Sequence, residues 1–184
     1  MNRKHNQHYQ DTHAHLIRTV LSIVDSYEGG YVPVTVKQVC DRADVNRTTF
    51  YAHFTDMADL FEQTDAMLSA KLREHYPEEL ARFSFVPFLT HVKTYRTFYR
   101  AAVRYGVFAQ PKADMHRLAR RFLLPLYERQ NGAVPPEDTE CYCSSFCFSV
   151  YAIVRLWLEE NCRRSVEEIE QIIQACLPID FAVT

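Results

Sequence analysis

The sequence predicts an all-α protein, and three observations carry that expectation. Glycine occurs only four times in 184 residues, and no segment alternates apolar and polar residues as a half-buried strand does. Apolar residues instead recur at i, i+4 and i+7 along most of the chain. A chain of this length can bury a substantial core. Its 47% hydrophobic and 24% charged content is that of an ordinary globular protein, which excludes a disordered or fibrous one.

Leu16, Val20, Ile23, Val24 and Tyr27 mark a first helix, stopped by Gly29-Gly30. Ahead of it, His5, His8, His13 and His15 lie in a polar segment expected to form a fraying arm that could touch phosphates. Pro33 pushes its predecessor into extended backbone. Thr35 and Gln38 then make a capping box for a second helix with the apolar stripe Val36, Val39, Cys40 and Ala43. Asp44-Val45-Asn46 is a tight turn, in which Asp tolerates left-handed backbone and Asn46 caps the next helix. That third helix, Arg47 to His53, keeps Phe50 and Phe54 as its plain hydrophobes. Thr55 caps a fourth, with Leu60, Phe61, Thr64, Met67 and Leu68 in register, running until Pro77.

Four more helical segments complete the chain. One starts after the Ser84 cap, carries Pro87 in its first turn and stops at Gly106. The next begins after Pro111 and should kink near Pro125. After the loop Asn131–Pro136 comes a long helix, apolar on most faces. Ser165 and Glu168 then form a second capping box, opening a last helix with Ile169, Ile172, Ile173, Cys176 and Leu177.

Two short helices joined by a three-residue turn and braced by a preceding helix make a helix-turn-helix, whose second helix enters the DNA major groove. That geometry accounts for the donors crowded into the third helix. Arg47 can fork onto guanine or phosphate, Thr48 and Thr49 allow close approach, and Tyr51 and His53 can reach backbone oxygens. Thr35 and Lys37, on the second helix, complete the candidate DNA contacts. A polar surface helix would share the composition, but not the caps, the stripe and the turn together. Charge alone argues little. The net is −2, with +1 over residues 1–55 and −3 over the remainder.

The stretch Val34–Gln63 resembles the DNA-binding domain of the TetR family of bacterial transcriptional regulators, with the likeness extending over about residues 12–62. Thr35 matches the family's helix-two cap, Ala43-x-Val45 its turn, and Thr49-Phe50-Tyr51-x-His53-Phe54 its recognition helix. The resemblance implies a three-helix DNA-binding domain, a helical regulatory domain and a homodimer built on the last two helices. Two residues depart from the family pattern. Asp44 stands where glycine is usual, and Asp56-Met57 where lysine often opens helix four. The second departure removes a phosphate contact. The domains expected are residues 1–56, with the motif at about 35–54, and residues 57–184.

The rest of the chain offers weaker patterns. Cys141, Cys143 and Cys147 share a helix but lack the paired spacing of a thiolate metal site, so they are expected to be buried small hydrophobes, with no metal. Tyr95, Phe98, Tyr99 and Phe122 could line a pocket for a small-molecule effector, although an aromatic core stripe fits the same spacing. Phe146, Val150, Ile153, Trp157, Ile169, Ile172 and Ile173 are expected at a homodimer interface. No phosphate-binding glycine loop, GxSxG or HExxH occurs, so neither an enzyme nor a cofactor is expected. No apolar leader opens the chain and its longest apolar run is short for a bilayer, which implies a cytoplasmic protein with reduced thiols and no membrane partner. The expected function is a homodimeric repressor of a near-palindromic operator, able to be released by a small ligand. A co-regulator of the same fold, acting through another protein, is the alternative.

Overall fold

The computed structural model describes residues 3–27, 34–70, 72, 74, 84–107 and 113–181, and among them there is no strand. The chain divides into two compact units, residues 1–68 with 97–107, and residues 69–96 with 108–184.

The first unit holds the helix-turn-helix. Helix α1, Arg3–Asp25, starts well before the apolar stripe. Leu16, Ile17, Val20, Ile23 and Val24 are buried beneath α2, Val36–Ala43, and α3, Arg47–His53. The capping box of α2 forms as expected: Gln38 N–H donates to Thr35 Oγ1 (3.2 Å) and Thr35 N–H to Gln38 Oε1 (2.8 Å). Asp44 ends α2 in left-handed backbone at φ 53°, and Asn46 Oδ1 accepts from Thr49 N–H (2.7 Å) to open α3. Helix α4, Met57–Leu68, is capped by Asp56, not Thr55. Asp56 Oδ1 accepts from Asp59 N–H (2.9 Å), and the Asp59 carboxylate reaches back to Thr55 N–H (2.7 Å). A carboxylate directly before the first turn is as good a cap as a hydroxyl and is favoured by the helix dipole. The acidic departure at position 56 thus has a local structural cause. Gly29-Gly30, Pro33 and Pro77 lie outside the described residues.

The first unit is completed by a distant piece of chain. Helix α5, Val86–Thr94, is followed by α6, Arg96–Ala102, and a 3₁₀ turn, Val103–Tyr105, that stops at Gly106 (φ 78°). One helix was expected there; the break falls at Tyr95, whose N–H bonds both His91 O and Lys93 O. Past the break, Thr97 Oγ1 donates to Asp25 (2.7 Å), Tyr99 O–H to the buried Asp65 (2.8 Å) and Tyr105 O–H to Val34 O. Phe61 of α4 stacks on Tyr105 at 4.6 Å. This unit therefore includes α4 and runs past residue 56.

In the second unit, Glu170 Oε1 accepts from Phe85 N–H (2.6 Å) and Ser84 Oγ from Val86 N–H (3.2 Å), so the start of α5 is satisfied partly by the last helix. Helices α7, Ala113–Leu118, and α8, Leu124–Asn131, are joined by a π turn, Ala119–Leu123. Its cause is Pro125. With no N–H and a ring that crowds the carbonyl four residues back, proline breaks the α pattern, and Leu124 N–H bonds Ala119 O five residues back instead. The long helix α9, Thr139–Glu159, is the centre of this unit, burying Cys143, Phe146, Cys147, Val150, Val154, Trp157 and Leu158 against its neighbours. The 24 residues from Pro136 to Glu159 are long and apolar enough to cross a membrane by length and composition. Packing inside the unit buries 44% of its most apolar stretch and leaves Phe148 and Leu156 exposed. Helix α10, Val166–Cys176, has the expected Ser165–Glu168 capping box and packs on α9 and α5.

Asp44 carries a strain of the order of 1 kcal/mol, because its Cβ crowds the backbone in the left-handed region. Asp44→Gly should leave the melting temperature unchanged or raise it. Asp44→Val should lower stability by about 1–2 kcal/mol, read by thermal denaturation.

Candidate nucleic-acid interface

Helix α3 is seven residues long, and an α-helix about 10–12 Å across with its side chains fits the roughly 12 Å wide major groove. Sequence order sets its faces. Phe50 and Phe54 are buried against α1 and α2, which turns Arg47, Thr48, Tyr51 and Ala52 outward. Tyr51 is 56% exposed, a large aromatic with a free rim on an otherwise polar face. Thr49 sits on the flank, and its hydroxyl donates to Asn46 Oδ1 (2.9 Å), so it retains acceptor capacity only. On α2, the Thr35 hydroxyl donates to Gln38 Oε1 (3.0 Å) and is committed to the cap. Lys37 is exposed and pairs with Asp41 (2.7 Å), a surface ion pair weak enough to be exchanged for a phosphate.

His53 occupies a different setting from its neighbours. Its ring lies 4.1 Å from that of Tyr9 and 5.7 Å from that of His13, both on α1. His13 in turn stacks on Phe54 at 4.6 Å. The His53 side chain is thus half-buried on the α1 side of the recognition helix.

Helix α1 also satisfies the ends of both motif helices. Tyr9 O–H donates to Ala52 O (3.2 Å), and His15 Nε2 bonds Ala43 O (3.1 Å). These are carbonyls of the last turns of α3 and α2, which have no partner within their own helices. Arg42 adds a bond from Nη2 to Ser22 Oγ (3.2 Å). The segment expected to be a loose arm is helical from Arg3, with Tyr9, His13 and His15 bonded to or packed on the motif. The spacing held the missed signal. His8, Tyr9, Thr12, His13 and Leu16 continue the i, i+3, i+4 register of the apolar stripe with ring side chains, which can pack and donate at once.

The other expected sites divide between the two units. Phe98 and Tyr99 are core residues of the first, with Phe98 packed on Phe61 at 5.4 Å. Tyr95 and Phe122 are half-buried in the second, beside His91 (5.0 Å) and under the Arg121 guanidinium (5.1 Å) respectively. Of the interface residues, Phe146, Val150, Trp157, Ile169 and Ile173 are at most 2% exposed within their own chain, so their side chains are already covered. Ile153 and Ile172 stay half-exposed. Cys143 and Cys147 are buried, and burial with the neighbouring Cys143 pushes the Cys147 thiol up to about 12. Cys141, expected to be buried as well, is exposed. Among the described residues no group of three or more His, Cys, Asp or Glu could hold a metal ion.

Residues 27–64 match the family model described as bacterial regulatory proteins, tetR family. The matched stretch spans α2 and α3 and continues into α4. Among curated proteins none matches the sequence. A solved structure, the dihydroxyacetone kinase operon activator DhaS, is similar with a TM-score of 0.58, covering 90% of this chain and 93% of that one at 16% identity. At that identity the likeness is one of fold, and it extends over both units. The two-helix motif, its caps and the matched residues agree: the N-terminal domain is that of the tetR family of bacterial regulatory proteins, and the chain is an all-α DNA-binding transcription regulator.

Proposed function

We propose that the chain acts as a homodimeric repressor that reads a near-palindromic operator with α3 and is released by a small ligand held among the helices of its second unit. The observation that supports DNA reading most strongly is the outward face of α3, where Arg47, Thr48 and Tyr51 stand together on a helix whose opposite side is fixed in the core. Arg47 carries the base or phosphate fork, Tyr51 and Lys37 the backbone contacts, and Thr48 the close approach. Repression asks only that the dimer occupy a site overlapping a promoter. The similar structure bears the name of an operon activator, so the sign of regulation belongs in the test.

A dimer is supported by a stripe that the chain leaves uncovered. Cys141, Ser145, Phe148, Ala152 and Leu156 succeed one another along α9 at helical spacing, with Phe148 50% and Leu156 60% exposed. Ile153 beside them and Ile172, Ala175 and Cys176 on α10 extend the apolar character. A second copy presenting the same stripe would give an isologous interface, and obligate interfaces of this kind bury about 2,000 Å² or more. The small residues Ser145 and Ala152, on either side of Phe148, would let two such helices approach closely.

Selection of duplexes from a random pool should enrich a near-palindrome, whereas a co-regulator acting through another protein would enrich none. Placing the enriched site over a promoter and measuring transcription gives the sign, with reduced output expected. Arg47→Ala and Tyr51→Ala should each weaken operator binding by about 1–3 kcal/mol while the melting temperature holds. Binding should also fall steeply with salt. Affinity unchanged by both substitutions would defeat the assignment of α3. For the dimer, Phe148→Glu and Leu156→Glu should convert the chain from dimer to monomer in light scattering without unfolding it. A wild-type monomer at micromolar concentration that still binds the operator tightly would refute it.

A further inference from the structure

The two histidine rings behind the recognition helix have a chemistry that groove reading does not use. His13 Nδ1 and His53 Nδ1 are both buried and neither has a hydrogen-bond partner. The rings lie 5.7 Å apart, His53 against Tyr9 and His13 against Phe54. A neutral imidazole tolerates this, because one nitrogen need not donate. An imidazolium donates from both nitrogens. Protonation would therefore create a charged N–H with no acceptor at each buried Nδ1, and then set two like charges beside one another.

We propose that Tyr9, His13 and His53 form a pH-responsive clamp that positions the recognition helix, so that operator affinity falls on mild acidification. Tyr9 and His13 act here as positioning residues, through His53 and the Ala52 carbonyl. The proposal rests on α3 being the DNA-reading helix.

The charged and titratable groups around the clamp come from three helices. On α1 they are His8 and Tyr9, on α3 His53 itself, and on α4 Asp59. Burial lowers the pKa of His13, opposed by the Asp59 carboxylate. Burial also lowers that of His53, with His13 and then His8 acting in the same direction. Asp59, held ionised by Gln63 (2.7 Å) and Thr55 N–H (2.7 Å), does not offset this, because burial is the larger of the two effects on His13. Both histidines titrate below their ordinary value of 6.5 in the folded state. The clamp's contribution is thus fully present above about 6.5 and is lost as pH falls through the lowered values. This sign is opposite to that of a histidine facing DNA. An exposed imidazolium near phosphate would strengthen binding on acidification.

Operator affinity would be measured at fixed salt between about pH 7.5 and about pH 5.5, the range in which histidine changes charge, for wild type, His13→Phe and His116→Gln. His13→Phe keeps a ring against Phe54 and removes the charge; His116 lies in the other unit and serves as control. Wild type and His116→Gln should lose about tenfold on acidification, the loss for each unit by which the operator-bound state holds a histidine pKa below that of the free protein. His13→Phe, whatever its affinity at the higher pH, should lose much less than wild type between the two pH values. Affinity that rises on acidification, or an equal loss in His13→Phe, overturns the clamp. Melting of the free protein provides a second readout. The wild type should lose more stability between the two pH values than His13→Phe, or than His13→Gln if the phenylalanine variant does not fold. Equal losses again overturn the clamp, whether or not an operator has been found. Absence of any selected operator at the higher pH is a failure of the DNA reading instead.

Discussion

The docking of α1 onto the ends of α2 and α3 is the constraint on which the DNA-reading face depends. Helices of eight and seven residues are well below the ~12–15 residues at which an isolated helix is even marginal in water. Thr35 and Asn46 satisfy their N-terminal amides locally. At their C-terminal ends Cys40 O and Phe50 O accept local cap amides, while Ala43 O and Ala52 O are met from α1 by His15 and Tyr9, and the same side buries Phe50 and Phe54. The outward presentation of Arg47, Thr48 and Tyr51 is a consequence. A helix held on one face and at both ends has only one face left to offer.

Much of the local chemistry that depends on neighbours in the chain was legible in the sequence. Thr35 with Gln38, Asn46 with Thr49, Asp44 in left-handed backbone, the stop at Gly106 and the disturbance at Pro125 are all interactions within five residues, and each formed as its residue type dictates. Contacts across longer spans were not legible. Tyr9 meets Ala52 across 43 residues, Tyr99 meets Asp65 across 34, and Thr97 meets Asp25 across 72. No periodicity encodes such partners. Helix α4 shows how close competition can be: two adjacent residues can cap it, and the carboxylate of Asp56 takes the role from Thr55.

The second unit shows what an apolar helix does and does not reveal. Helix α9 is apolar on most faces, which correctly implies that it must be covered on most faces. The pattern cannot say which face its own chain covers. Phe146, Val150 and Trp157 turn out to be core, while Phe148 and Leu156, hidden in the sequence among equally apolar neighbours, are the ones left outside. The aromatic set Tyr95, Phe98, Tyr99 and Phe122 divides for a related reason. The chain passes from one unit to the other at the break after α5, so residues three apart in sequence serve different cores.

Amide hydrogen exchange on the full chain carrying Tyr9→Ala tests most directly whether α1 holds the recognition helix. Removing the ring and hydroxyl should speed exchange of the amides in Phe50–Phe54 that are bonded within α3, by several-fold or more. Protection across α9 and α10 should not change, because those helices lie in the other unit. Unaltered protection of α3 in that variant would contradict the account, since the helix would then be held by its buried phenylalanines and its own cap alone.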